Sequence, residues 1–212
     1  MPSETNLEKV KKLRELTGAG FKDCSNAINE NKGDIEKSIE YLRIKGISKA
    51  SKKLERVAND GLICIKEEKN QISIIEINCE TDFVAKNKEF INFSEELSLI
   101  CFKEKGNLEK IKKTNMANSK PVEENLISLI SKIGEKITIR RSKFFDNTGG
   151  INFSYIHSAI KPNIGKLGVI INLDAENNNE VKEFGHKLAM HVAASSPLSI
   201  DVDNLDSKIL EK

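Results

Sequence analysis

Three histidines are the residues of this 212-residue chain whose type most readily supports acid–base or metal chemistry. His186 and His191 are five residues apart. On a helix this spacing turns two side chains away from each other, whereas the zinc motif HExxH uses a spacing of four. The spacing disfavours a two-histidine metal site, and we expect both to be packed or surface histidines. His157 lies in the segment SYIHS, where a surface position on an edge strand is one interpretation.

The sequence also lacks the motifs that nucleophilic catalysis and phosphate binding require. No GxSxG elbow, P-loop or GxGxxG motif occurs, and the segment NTGGINF lacks the lysine and the following helix that phosphate binding needs. Asp174 with Glu176, or Glu95 with Glu96, could be proposed as acid and base, but 31% of the residues are charged and such pairs are common on exposed faces. We therefore expect no enzyme, no cofactor, no metal site and no direct nucleotide binding.

Asp82 and Phe83 place a charge beside a large apolar ring, in the segment INCETDFVAKNKEF, where a strand pattern gives way to a helical one. In one interpretation, Asp82 is the N-cap of the helix and Phe83 turns inward as its first core residue. In the other, the loop is a probe, in which Phe83 is an apolar wedge and Asp82 a charge held toward a partner. Residue chemistry alone leaves both interpretations open.

The overall composition favours a globular protein whose partners are recognised by local shape. The 34 basic and 32 acidic residues leave a formal charge of +2, which gives no long-range attraction to nucleic acid or anionic lipid. The amino terminus contains acids and no apolar signal core, and no apolar run approaches the roughly 20 residues of a membrane span. These features predict a cytoplasmic protein that binds neither nucleic acid nor membranes. Four distant cysteines without a CxxC pair predict reduced core thiols: Cys24, Cys64, Cys79 and Cys101.

The elements that must position these residues begin with three predicted helices. Apolar residues recur at helical spacing from Leu7 to Leu16, then from Phe21 to Ile28, and again after KGD as far as Ile44. We expect these residues to pack as the core of a small three-helix unit.

A change of composition over residues 45–60, rich in Lys and Ser, predicts a helix tail and a linker. The basic side chains of this stretch could contact phosphates, but the run is short and no aromatic residue interleaves it, so we prefer a solvated linker face. They are Lys49, Lys52, Lys53 and Arg56.

The rest of the chain predicts an α+β fold of antiparallel strands covered by helices. A hairpin is predicted from GLICIKEE and QISIIEINCE, joined by KN, and three further strands from KITIRRSKFF, INFSYIHSAI and KLGVIINLDA. Helices are predicted around Phe90 to Cys101 and after Pro121, and a last helix has an apolar face of Val181, Phe184, Leu188 and Val192. We divide the chain into a three-helix unit with its linker (1–54), a first core half (55–140) and a second core half (141–212).

Four segments in the same order resemble the translation elongation factor Ts family, the nucleotide exchange factors of elongation factor Tu. They are LRELTGAGFKDCSNAINENKGDIEKSIEYLRIKGISKASKK, TDFVAKN after IEINCE, KIGEKITIRR and AMHVAASSP. The resemblance implies that the amino-terminal unit is a ubiquitin-associated-like three-helix domain that docks on the G domain of elongation factor Tu. It also implies that the core approaches the magnesium and phosphate region of that partner.

The resemblance further implies which residues contact elongation factor Tu. Asp82 and Phe83 match the intruding pair, flanked by Thr81 and Val84. Ile133 and Gly134 in KIGEK and His157 in SYIHS match further contact positions of the core. The docking surface of the amino-terminal unit matches Lys11, Arg14, Gly18, Ala19, Gly20 and Phe21.

Two features depart from the family pattern. Phe21-Lys22 stands where many members have two methionines after TGAG, which keeps one apolar anchor and replaces the other with a charge. Many members also continue beyond the position of Lys212, so we expect a fragment or a shortened form. Homodimerisation is one way in which an open sheet edge in its second half could be completed.

Two other functions are alternatives at this level. In the first, the three-helix unit recognises ubiquitin-like or nascent-chain ligands and the core is only a scaffold. In the second, the chain is a translation protein that binds RNA through the basic run of Lys49 to Arg56. An exchange factor for elongation factor Tu, without covalent chemistry, is the function that the resemblance favours.

Overall fold

Three helices form the amino-terminal unit of the computed structural model, which describes residues 5–51, 53, 55–146 and 149–205. They are α1 (Asn6–Thr17), α2 (Phe21–Glu30) and α3 (Ile35–Ser51). Thr5 and Glu8 form a capping box at the start of α1. The helices enclose a small core of Val10, Leu13, Cys24, Ala27 and Ile28.

Leu7 and Leu16 do not belong to this core, so the prediction that they would was wrong. Their side chains are 55% and 62% exposed, and Ile44 of α3 is exposed as well. Residues three apart on a helix drift by about 60° around its axis. The stripe that starts at Leu7 therefore reaches the core only at Val10 and Leu13, and its two ends face outward.

The five strands form one antiparallel sheet in the order β3-β2-β1-β5-β4. Their bounds are β1 Asp60–Glu68, β2 Gln71–Cys79, β3 Ile137–Phe145, β4 Ile151–Lys161 and β5 Ile164–Leu173. Lys69 and Asn70 join β1 to β2 with φ of 51° and 62°, the left-handed backbone of a two-residue hairpin turn. This confirms the predicted α+β fold and the predicted hairpin.

In the described part of the chain, five α-helices accompany the strands. They are α4 (Asp82–Ala85), α5 (Lys88–Lys103), α6 (Leu108–Lys113), α7 (Val122–Ile133) and α8 (Asn179–Ser195). The helices α5, α7 and α8 were predicted from their apolar periodicity. The helices α4 and α6 were not predicted, because four and six residues are too few to display a period.

The main core lies between α5 and one face of β1, β2 and β3. Phe90 and Leu97 of α5 are fully buried there, as are Ile75 and Ile77 of β2. All four cysteines are buried free thiols, as predicted, and burial raises the pKa of Cys64 and of Cys79 to about 12. Among the described residues, no helix is long and apolar enough to cross a membrane.

The β4–β5 hairpin joins the other strands through a short pairing of β5 with β1. The strand β5 pairs with β1 only at Ile63–Gly165 and Cys64–Ile164. A Cβ placed on Gly168 would lie 2.5 Å from the Ile63 side chain, which shows that β5 then passes close over β1. Asn70 holds the start of β4 by accepting from the backbone N–H of Asn152 at 3.0 Å.

The helix α8 covers β4 through a small residue. A Cβ on Gly185 would lie 2.5 Å from the Phe153 ring, so this glycine permits the close approach. Val181, Leu188 and Val192 are half-buried as predicted, but Phe184 is 57% exposed at the edge of the helix, so its assignment to the buried face was wrong.

Residue 140, at which we divided the core, lies inside β3, and strands from both sides of it share the sheet. The end of the second predicted half, residues 206–212, lies outside the described residues, as do residues 1–4 of the first unit. The division into these units stays a prediction.

Candidate functional site

The short helix α4 begins where β2 ends, and Thr81 is its N-cap. Thr81 has extended backbone angles (φ −128°, ψ 157°), and its hydroxyl accepts from the Val84 N–H at 3.4 Å. The interpretation of Asp82 as the N-cap was therefore wrong. The residue one position earlier has the β-branched hydroxyl that reaches the amide three residues on.

Phe83 projects from α4 into solvent, with 81% of its surface exposed. The next two residues, Val84 and Ala85, are buried in the main core. In a single helical turn, burying these two side chains directs the preceding one outward. Phe83 is thus not the first core residue of the following helix. Val84 takes that place, and its burial leaves it little surface to offer to a partner.

Asp82 is an ionised carboxylate beside the exposed ring. Lys86, one turn later, donates to its Oδ2 at 2.8 Å. This hydrogen bond and the charge of the Lys86 ammonium hold the pKa of Asp82 below its ordinary value, with a smaller contribution from Lys166 of β5. The turn therefore presents a negative charge and an aromatic ring side by side.

Glu135, between α7 and β3, holds the first residue of this turn, Thr81. Its two carboxylate oxygens accept from the Thr81 hydroxyl at 2.7 Å and from the Thr81 N–H at 3.0 Å. Glu80 is held in return, because it accepts from the Lys136 N–H at 2.5 Å and pairs with Arg56 at 3.3 Å. Sequence reasoning missed both glutamates, since nothing in an isolated acidic loop residue reveals a partner 54 or 56 positions away.

Two further residues matched by the resemblance, Ile133 and Gly134, lie directly before Glu135. Ile133 ends α7 half-buried against the main core, and Gly134 closes the helix in a left-handed conformation, φ 89°. Since Glu135 bonds to Thr81, the structure brings Ile133 and Gly134 near the turn that carries Phe83.

His157 lies on β4, at the edge of the sheet. Its side chain is exposed, and its Nδ1 is 3.0 Å from the Tyr155 hydroxyl. In the ladder it faces Leu167, the neighbour of Lys166, whose ammonium pairs with Asp60 near the start of β1. Because successive side chains of a strand point to opposite faces, His157 and Leu167 lie on the face of the β4–β5 hairpin opposite to Lys166.

The other matched positions surround the junction of α1 and α2. Lys11 and Arg14 are exposed on α1, and Phe21, the first residue of α2, is half-exposed. Between them, Ala19 is half-buried and Gly20 is exposed.

Gly18 ends α1 in a left-handed conformation, φ 66°, and its N–H donates to the Arg14 carbonyl at 2.7 Å. A Cβ on Gly18 would lie 3.3 Å from Nζ of Lys132 in α7. The junction of α1 and α2 therefore lies beside the Lys132 side chain of the helix that leads to Glu135.

The basic run of the linker is partly engaged within the chain. Arg56 pairs with Glu80, and Lys53 donates to the Ile130 carbonyl at 3.5 Å. Lys52 and the side chain of Lys49 lie outside the described residues. No group of three or more His, Cys, Asp and Glu side chains in the part of the chain that the structure describes could hold a metal ion.

Comparison with known proteins gives a consistent result. A family profile described as Elongation factor TS matches residues 80–212. Elongation factor Ts of Methylorubrum populi is 40% identical over 205 residues, which cover 96% of this chain and 67% of that protein. The protein of the same name from Gluconobacter oxydans is 38% identical, over 99% of this chain and 70% of its own length.

A third relative, elongation factor Ts of Caulobacter vibrioides, is 38% identical over 99% of this chain and 69% of its own length. The chain therefore spans about two thirds of the length of these relatives. The family profile covers more than half of the chain, and the relatives match nearly all of it. The chain belongs to the elongation factor Ts family of translation elongation factors.

Proposed function

We propose that this chain is a guanine nucleotide exchange factor for elongation factor Tu and acts in the cytoplasm by protein contact, without covalent chemistry. One observation carries the proposal: Phe83 is 81% exposed beside an ionised Asp82 on a turn that is anchored at both ends. An isolated exposed phenylalanine on a flexible loop would have little mechanical effect, whereas one on a fixed turn can displace what it meets.

The anchoring comes from both sides of Phe83. Before it, Thr81 is bonded to Glu135. After it, Val84 and Ala85 are buried in the core, and Asn87 caps α5 by accepting from the Glu89 N–H at 2.8 Å. The apolar ring is thus presented at little further cost in conformational entropy, which is the usual advantage of a preorganised contact.

The amino-terminal unit supplies a second proposed contact. Lys11, Arg14 and Phe21 are exposed around the Gly18 turn, and this combination of cations and one aromatic ring suits a partially acidic helix of the partner. We assign docking to this surface and exchange to Asp82 and Phe83. Ile133, Gly134 and His157 are proposed as supporting contacts of the core.

Exchange then follows from thermodynamic linkage. A factor that binds nucleotide-free elongation factor Tu better than its GDP complex must weaken GDP binding by the same free energy. Insertion of the Phe83 ring would shift the partner's elements that hold Mg²⁺ and the phosphates. Without the cation, the charge of the diphosphate is poorly neutralised, and GDP leaves faster. This chain contributes the wedge and the carboxylate, and it binds no nucleotide of its own.

The direct test is the release of a fluorescent GDP analogue from purified elongation factor Tu, with Mg²⁺ and excess unlabelled GDP, while this chain is titrated in. We expect the release rate to rise and saturate. Chelation of Mg²⁺ without the chain serves as the positive control for fast release. An unchanged release rate despite measurable binding would contradict the exchange function and favour the alternative in which the chain is only a binding module. An affinity for RNA that falls steeply with salt would favour the RNA-binding alternative.

A further inference from the structure

We propose that Glu135 is a positioning residue for nucleotide exchange: its carboxylate holds Thr81 and thereby fixes the direction in which Phe83 is presented. This inference rests on the proposed exchange function. The two oxygens of Glu135 accept from the two donors of one residue, the Thr81 hydroxyl at 2.7 Å and the Thr81 N–H at 3.0 Å. Such bidentate, charge-assisted contacts fix orientation as well as distance.

The turn needs this support because α4 is too short to hold itself. It has four residues, and its backbone bonds include Ala85 N–H to Thr81 O and Lys86 N–H to Asp82 O, each 3.2 Å, and Asn87 N–H to Val84 O at 2.9 Å. A single helical turn is unstable in isolation, since nucleation costs more than one or two hydrogen bonds return. Its geometry must therefore be set by tertiary contacts.

The Thr81 hydroxyl connects the Glu135 carboxylate to the helix α4. It donates to Glu135 and accepts from the Val84 N–H at 3.4 Å, which makes a chain of two hydrogen bonds from the carboxylate to the α4 backbone. Hydrogen bonds in such a chain strengthen one another. Loss of the Glu135 charge thus loosens the cap of α4 as well as the entry to it.

A set of three further contacts lies beside the two bonds between Glu135 and Thr81. Glu80 accepts from the Lys136 N–H at 2.5 Å and pairs with Arg56, while Lys136 Nζ donates to the Arg56 carbonyl at 2.7 Å. The segment Glu80–Thr81 is therefore joined to Glu135–Lys136 and to the linker. Because none of these three contacts involves the Glu135 side chain, loss of the Glu135 carboxylate should loosen the turn without unfolding the sheet edge.

Glu135 also belongs to the element that supports the amino-terminal unit. It follows α7, and α7 lies close to that unit at Gly46 of α3, where a Cβ would be 2.8 Å from Oγ of Ser131. The amino-terminal unit, which carries the docking surface, thus contacts α7, and the Phe83 turn is bonded to the residues that follow α7. Loosening the Thr81 end alone should impair exchange while docking is retained.

The test measures the saturable acceleration of GDP release by the full chain and its variants. For Glu135→Gln, which keeps the side-chain size but replaces one acceptor with a donor, we expect the maximal rate to fall about tenfold. The half-saturating concentration should stay within about twofold. Glu109→Gln, which removes a surface carboxylate paired with Lys112 on α6, is the matched control and should change neither quantity.

Thr81 variants separate positioning from general structure. Thr81→Val keeps the shape but removes the hydroxyl and should lower the maximal rate. Thr81→Ser keeps the hydroxyl and should lower it less than Thr81→Val does. Thr81→Val leaves the backbone N–H that Glu135 also holds. If Glu135 acts through Thr81, the loss in the double variant Glu135→Gln, Thr81→Val should be smaller than the sum of the two single losses. Additive losses in the double variant would overturn the inference.

Amide hydrogen exchange on the free chain provides a readout that needs no partner. We expect the Ala85 and Lys86 amides to exchange about fivefold faster in Glu135→Gln. If the parent chain does not accelerate GDP release, the proposed function fails and the kinetic part of the inference falls with it. Amide hydrogen exchange then tests by itself whether Glu135 holds the turn. Unchanged protection of Ala85 and Lys86 would overturn that part of the inference.

Discussion

Phe83 and Phe90 show at the residue scale how one short segment serves two purposes. Both are phenylalanines within eight positions, but Phe83 is largely exposed while Phe90 is fully buried under the sheet. An exposed ring gains little from burial within its own chain, so its contribution must be sought in what it contacts outside. We therefore expect stability and exchange to separate at these two positions.

Phe83→Ala should change the free energy of unfolding by less than about 0.5 kcal/mol, as is usual for surface substitutions. Phe90→Ala should lower it by about 3 to 5 kcal/mol, because it leaves a cavity in the core. Equilibrium urea denaturation of both variants measures this difference. A loss above about 1 kcal/mol for Phe83→Ala would mean that the ring packs within its own chain.

The Asp82–Lys86 pair gives a prediction about pH. Its lowered pKa means that the pair stabilises the folded state above the ordinary pKa of aspartate, and that this contribution is lost as the pH falls through the lowered value. In Lys86→Gln, the pKa of Asp82 should rise toward its ordinary value, as measured by NMR titration of the carboxyl carbon. The carboxyl of Glu109, whose pKa is lowered by Lys112, is the internal control and should not move.

Among the helices and strands, those with a clear apolar period could be predicted from the sequence, whereas the presentation of Phe83 on α4 could not. The amphipathic pattern of α5 and the β-branched strands β1 and β2 could be predicted, because burial on one face imposes a period that can be read. The exposure of Phe83 could only be proposed, since an N-cap at Asp82 explained the same residues. The threonine at 81 decides between the two, and only its geometry shows that it caps.

Glu135 could not be predicted at all. It is one of 32 acidic residues, and its importance arises from a contact with Thr81 made across the sheet edge. Long-range contacts of single polar residues leave no periodicity in the sequence. The KIGEK segment pointed to the right loop through the resemblance, but it named Ile133 and Gly134 rather than the glutamate beside them.

Gly134 gives a prediction at this scale, because it ends α7 with φ 89° and a Cβ there would meet no atom within 4 Å. Gly134→Ala should therefore cost about 1 kcal/mol of unfolding free energy through backbone strain alone. Gly134→Asn should cost less, since asparagine tolerates the left-handed conformation. Equal unfolding free energies for the two variants, measured in urea, would show that backbone strain does not decide this position.

At the scale of the whole molecule, α7 is the element that relates the two proposed contact surfaces. The amino-terminal unit lies against it at Gly18 and Gly46, and the Phe83 turn is tied to the residues that follow it. A near-neutral chain of this kind has no long-range electrostatic reach toward its partner. The proposed effect on elongation factor Tu must therefore come from the free energy of contacts made in the complex.

That free energy makes a reciprocal prediction. The factor by which saturating amounts of this chain raise the dissociation constant of GDP from elongation factor Tu should equal the factor by which GDP raises the dissociation constant of this chain. Isothermal titration of each ligand, with and without the other, measures both. Two unequal factors would show that the proteins do not form the single ternary complex that linkage requires.

The most direct test asks whether nucleotide exchange depends on Asp82 and Phe83. It measures the release of a fluorescent GDP analogue from elongation factor Tu, with Mg²⁺ present, by the parent chain and by the double variant Asp82→Ala, Phe83→Ala. Phe83 is exposed and Asp82 is only half-buried, so the variant should fold and bind. We predict strong acceleration by the parent and almost none by the variant at saturating concentration. Equal acceleration by both would contradict the account, because exchange would then not depend on the Asp82–Phe83 turn.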